Sequence, residues 1–197
     1  MDDNLKPVGA VKPFDIVQGM HPQERGPTQH VNSVALKQFS SWKQKIIEEM
    51  LKDDELMKLI SYPIPDFVNQ PEVTEDERFA LVNKRIYPYR FIDRIEGERQ
   101  SFISMEFAHW QPFEGFRIFS EKFAHGYVYF YMLSDVGIMD TNYGVRQDLI
   151  LARIYDIFEG YRGLGVGEMK QESQLPLWPD NNSYGGYTLG FRVVEYK

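Results

Sequence analysis

The chain has 197 residues, 43% hydrophobic and 26% charged, no cysteine and a net charge of −7. Disulfides, thiolate metal sites and cysteine nucleophiles are thereby excluded, and the acidic balance argues against a nucleic-acid coat, which carries a basic patch. The acidic start MDDNLKPVGA has no apolar run of the signal-peptide kind, and no window approaches the 18 or so apolar residues of a membrane span.

Residues 1–31 carry Pro7, Pro13, Pro22 and Pro27 and show no apolar period, so helix and central strand are both disfavoured. Scattered apolar residues, Phe14 among them, are more than a solvated tail holds. The segment is expected to be an extended arm, followed by a single domain over 32–197.

Leu36, Phe39, Trp42, Ile46 and Met50 recur at helical spacing, which predicts an amphipathic helix over 33–52. Asp53 or Asp54 is placed to cap a second helix ending at Ser61, before Tyr62-Pro63-Ile64-Pro65. Thr74 followed three residues later by Glu77 is a capping-box pattern and predicts a short helix to about Asn83. Residues 86–91 read as extended.

Residues 101–110 alternate, with Ile103, Met105, Phe107 and His109 on one face. Residues 123–133 are apolar on both faces, the mark of a central strand. At about 3.4 Å per residue they span roughly 37 Å, long enough to reach past their own core. Between these strands, Trp110, Phe113, Phe116 and Phe119 make an unusually apolar loop that calls for cover, either by its own core or by a partner. A Gly/Asp/Asn-rich loop over 134–147 precedes a helix over 146–159, with a stripe of Leu149, Ile150, Ile154, Ile157 and Phe158 ended by Gly160 and Gly163. A weak strand (165–174) and a final strand (187–196) close the chain. The expected class is α+β, a mostly antiparallel sheet flanked by helices, with an extended N-terminal arm.

Catalytic patterns are missing from the sequence: it holds no GxSxG, HExxH or kinase set. His109 and His125 would face each other across a 101–110/123–133 hairpin, but two ligands fall short of a zinc site. The run Gly163-Leu-Gly165-Val-Gly167 lacks the phosphate-loop ending and follows a helix, so it reads as a turn. Neither a cofactor nor a metal is expected.

The order of helix, IYPYRF stretch, strand ending SMEFAHW, strand FAHGYVYFYML, helix VRQDLILARIYDIFEG, GLG turn and final strand YTLGFRVVEY resembles the neck and tail-completion proteins of tailed bacteriophages, the group that includes tail terminators. The match covers about residues 34–196. Arg146, Asp148, Leu149 and Ile150 open the helix that this pattern places after its strand pair. The proline-rich arm and the extra helix near 75–83 depart from it. The resemblance implies a structural virion protein and no catalytic residues. Such a protein forms a homo-oligomeric ring, hexamer or dodecamer, at the head–tail junction. It contacts other neck, tail-tube or connector proteins, lets DNA pass without sequence-specific binding, touches no membrane and assembles in the host cytoplasm. Ring contacts are then expected through Phe14, Trp110, Phe113, Phe116, Phe119, Ile138, Met139 and Tyr143. The alternative is a cytosolic small-molecule-binding module or small enzyme whose aromatic pocket is built by Tyr127, Tyr129, Tyr131 and Trp110.

Overall fold

The computed structural model describes residues 34–90, 99–112, 122–178 and 183–196. The arm over 1–31 lies outside these residues, as do Phe14, Phe113, Phe116 and Phe119. Three helices open the described chain: α1 (Val34–Lys52), α2 (Asp54–Ser61) and α3 (Glu75–Ala80). The β1 (Ile86–Tyr87), β2 (Ser101–Pro112) and β3 (Phe123–Asp135) strands follow, then the small ladder of β4 (Asp140–Thr141) and β5 (Gly144–Val145). After these come α4 (Arg146–Phe158), β6 (Lys170–Leu177) and β7 (Tyr184–Tyr196). The main sheet has five strands in the order β1-β2-β3-β7-β6, with β1 parallel to β2 and every other pair antiparallel. The α+β class and the predominantly antiparallel sheet expected from the sequence are what the chain adopts.

The start of each early helix follows from local chemistry. Asp53 accepts the Leu56 N–H at 2.7 Å and so caps α2. Thr74 and Glu77 form the reciprocal capping box of α3, which stops at Ala80, sooner than its sequence pattern implies, because the chain turns into β1. Arginines close the other ends. Four carbonyls of the last turn of α2 lack intrahelical partners, and all four are met: Lys58 by the Tyr62 N–H, Leu59 by Arg146, Ile60 and Ser61 by Arg85. The Leu51 carbonyl at the end of α1 accepts from Arg78 at 2.8 Å. Cationic donors at helix C-termini also complement the helix dipole.

Alternation divides the sheet into two unlike faces. Ile103 and Met105 of β2, Val128, Phe130 and Met132 of β3, and Leu189, Phe191 and Val193 of β7 are buried beneath the helices. Trp42, Ile46 and Met50 of α1 meet them, as do Ile150, Ile154 and Phe158 of α4. The Phe158 ring stacks on Phe130 with centroids 4.8 Å apart. Each such fully buried side chain contributes about 1.5–3 kcal/mol. The long β3 strand is central, as its two apolar faces require. It pairs with β7 from Phe123–Tyr196 to Asp135–Tyr184, so none of its length passes beyond its own sheet. The weak strand expected over 165–174 begins later, at Lys170, because the GLG turn is held against β7 by a Val166 N–H bond of 2.6 Å to the Val194 carbonyl.

Candidate protein interface

Among the described residues no helix lies on the second face of the sheet, and its middle is tyrosine. Tyr127, Tyr129 and Tyr131 point there from alternate positions of β3; Tyr127 stacks on Tyr129 at 5.8 Å, and Tyr129 and Tyr131 lie tilted at 6.5 Å by centroid. They lie close to the strands because Gly190 of β7 faces Tyr129. A Cβ on that glycine would sit 2.7 Å from the Tyr129 ring and 2.3 Å from the Ser173 hydroxyl. The ladder continues at both ends. His125 meets Tyr127 edge-on at 6.3 Å, and the Arg90 guanidinium lies 5.0 Å over the Tyr131 ring.

Carboxylates anchor the hydroxyls. Tyr127 donates to Glu172 at 2.9 Å, and Glu172 pairs with Arg192 at 2.9 Å. Tyr131 donates to Glu106, which Arg90 approaches at 3.5 Å. All three phenols are held above their usual range: Tyr127 by its bond to Glu172 and then by burial, Tyr129 by burial and the Glu106 charge, Tyr131 by burial and then its bond to Glu106. They remain protonated at neutral pH, so this face offers flat aromatic area and fixed polar edges, not a phenolate base. Aromatic surface with a satisfied polar handle is what interfaces use.

The histidine pair expected across the β2–β3 hairpin is not formed. The register shifts between Ala108 and Gln111, where His109 takes a left-handed φ of 54°, and His125 stands opposite Gln111, not His109. The Gln111 side-chain nitrogen lies 3.3 Å from His125 Nε2. His109 turns outward and meets Tyr129 edge-on at 6.0 Å. Among the described residues no three His, Asp or Glu side chains converge on a point that suits a metal ion, and no helix is long and apolar enough to cross a membrane.

The pocket drawn from Tyr127, Tyr129, Tyr131 and Trp110 does not exist, because Trp110 lies on the helical side. Its ring packs against Phe39 at 5.5 Å and Trp42 at 5.8 Å and covers Gly126, whose added Cβ would fall 2.0 Å from it. The shift that displaces His109 also places Trp110. Of the other residues expected to make ring contacts, Ile138 is only 8% exposed, and its carbonyl accepts from Arg146 at 2.9 Å. Met139 is half-buried beside Gly185, and its carbonyl accepts the Arg146 N–H. Tyr143 is 46% exposed but tied down, donating to Asp66 at 3.0 Å and meeting Phe67 edge-on.

The model of the YomW family matches residues 53–193, from the cap of α2 to the last turns of β7, with the whole tyrosine face inside it. The chain belongs to the YomW family. YomW is a protein name of the Bacillus prophage type and points to a phage origin. No curated protein matches the chain.

Sequence reasoning placed Arg146 at the start of a helix but missed its central, buried role in this YomW fold. It is fully buried and donates to three carbonyls on three segments: Ile138 at 2.9 Å, Leu59 at 2.6 Å and Ile64 at 2.7 Å. Its guanidinium lies over the Phe67 ring at 5.7 Å. Burial lowers its pKa to about 10, which leaves it a cation at neutral pH. The signal was present in the spacing: residues 146, 150, 154 and 158 form one stripe at four-residue steps, and the other three members are the buried Ile150, Ile154 and Phe158.

Proposed function

We propose that this chain is a structural subunit of a tailed-phage particle, acting in the neck as a tail-completion or terminator-like ring that joins the portal side of the head to the tail. Its role is mechanical and not catalytic. Copies associate head to tail in a closed ring, contact the connector and tail-tube proteins above and below, and leave a channel through which DNA passes. The acidic surface suits that passage, since like charge prevents tight phosphate contacts. The particle is its site of action and the host cytoplasm its place of assembly.

One observation carries the reading: the central strand of a five-stranded sheet presents a tyrosine ladder on a face that no helix of the described residues covers. A monomer leaves aromatic surface of this kind in water; a subunit covers it. The phage-type family name supports the setting. Negative-stain and cryo-electron microscopy of purified particles, with the chain located by a tag, tests the assignment together with light scattering of the isolated chain. A density ring at the head–tail junction is expected. A chain that stays monomeric and never co-purifies with particles would refute it.

A further inference from the structure

The groove between α1 and α3 is a second surface, on a different side of the molecule's chemistry from the tyrosine ladder. Leu51 and Val73 floor a hollow of about 650 Å³, and the ring of Phe79 forms its wall. Phe79 is 57% exposed although it belongs to a six-residue helix that has other positions facing solvent. Across this ring lies a second hollow of about 340 Å³, floored by Ile47 and Val82, which shares Phe79, Leu51 and Glu48 with the first. Phe79 is thus a ridge between two apolar hollows, each of a size to take a large side chain.

The charges around the groove do not balance. Two of its three cations are already engaged: Lys52 pairs with Glu49 at 2.9 Å, and Arg78 pairs with Asp54 while donating to the Leu51 and Val73 carbonyls at 2.8 Å; the third, Lys43, lines only the second hollow, away from Glu72 and Glu75. Three carboxylates remain at the rim, Glu48, Glu72 and Glu75. None of them forms an ion pair among the described residues; Glu48 accepts only from the Gln44 amide at 3.0 Å.

We propose that this groove docks a segment of another protein that carries two large apolar side chains flanked by Lys or Arg. The apolar pair straddles Phe79 and fills the hollows, and the basic flanks meet the rim carboxylates. Carboxylates at the mouth repel nucleic acid and acidic peptides, and an uncharged apolar ligand would leave them without partners. The inference does not depend on the ring assignment; it holds for any setting in which the groove is open.

The test is a peptide-library selection on the full-length chain, followed by titration of a synthetic peptide of the winning sequence. Two variants accompany it: Phe79→Ser, and the double change Glu72→Lys with Glu75→Lys. All three positions are exposed, and circular dichroism confirms that each variant folds. Wild type is expected to enrich apolar pairs flanked by Lys or Arg. Phe79→Ser should weaken the chosen peptide by about tenfold or more, the scale of a central aromatic contact. The charge reversal should turn the flank preference towards Asp and Glu. Enrichment of no motif, enrichment of acidic flanks on wild type, or binding that neither variant alters would each overturn the proposal.

Discussion

Replacing Arg146 by alanine tests the central claim about how this fold is closed. The side chain is fully buried and ties the last turn of α2, the loop through Ile64 and the turn at Ile138 to the first residue of α4. Hydrogen bonds to a charged group are worth about 1.5–3 kcal/mol each, but burying the guanidinium costs several kcal/mol, so the three bonds do not sum to a net gain. The alanine variant removes the cation and strands two buried carbonyls, each costing about 1–3 kcal/mol, and the part-buried Ile64 carbonyl, offset in part by water entering the vacated space. A net loss of about 3–5 kcal/mol is expected, in line with breaking other buried charged clusters. That is a third or more of the stability of an ordinary domain. In urea unfolding the midpoint should fall by about 1.5–2.5 M at unchanged slope. Lysine keeps the charge but has one nitrogen where three separate segments need a donor, so it should restore less than half of the loss. A loss below about 1 kcal/mol for alanine, or full rescue by lysine, would refute the idea that this guanidinium joins the segments by its fork.

Three further perturbations probe other joints. Asp53→Ala removes both the α2 cap and the bond to Arg153 of α4, and should cost about 2–3 kcal/mol, whereas Asp53→Asn keeps the cap and should cost about 1, read as shifts in the thermal midpoint. Gly126→Ala drives a methyl into the Trp110 ring and should destabilise by about 1–3 kcal/mol with a change in tryptophan emission; in a Trp110→Ala background the same change should cost much less. Spectrophotometric titration should show tyrosines ionising well above the ordinary value of 10, with Glu106→Gln lowering Tyr131 and Tyr129 part of the way and leaving the effect of burial. Because folded Tyr127 and Tyr131 have raised pKa values, their contribution to stability is complete below pH 10 and is lost as pH climbs above it, so the wild type should become less stable to urea in that alkaline range.

Periodicity and capping made most of the elements legible. The α1 stripe through Trp42, Ile46 and Met50, the Asp53 cap and the Thr74–Glu77 box depend on residues within four positions of each other, and the structure contains all of them. The central place of β3 was readable for a different reason: a strand apolar on both sides has only one stable position in a sheet. What escaped was set by contacts distant in sequence. The bulge between Ala108 and Gln111 moves Trp110 to the helical face and separates the two histidines, and no alternation pattern announces it. Arg146 was placed at a helix start, but its burial was not readable there, because the carbonyls that receive it come from 8 to 87 positions away. Arg78 and Arg85 were hidden in the same way, reaching carbonyls at 27 and 24–25 positions.

The two faces of β3 impose different demands, and the difference bears on assembly. Beneath the helices Val128, Phe130 and Met132 need only shape and apolar area. On the open side Tyr127 and Tyr131 have their hydroxyls engaged by carboxylates, and Gly190 gives up a side chain so that Tyr129 can lie against the sheet. With these two donors engaged inside the chain, the ladder can be covered by another surface without stranding the Tyr127 or Tyr131 hydroxyl. The Glu106–Arg90 and Glu172–Arg192 pairs flank the rings and keep this half-exposed aromatic area bordered by charge. A face built only for solvent would not need this arrangement; glycine opposite tyrosine, and carboxylate at each end, suit a surface that passes from water to contact without rearranging.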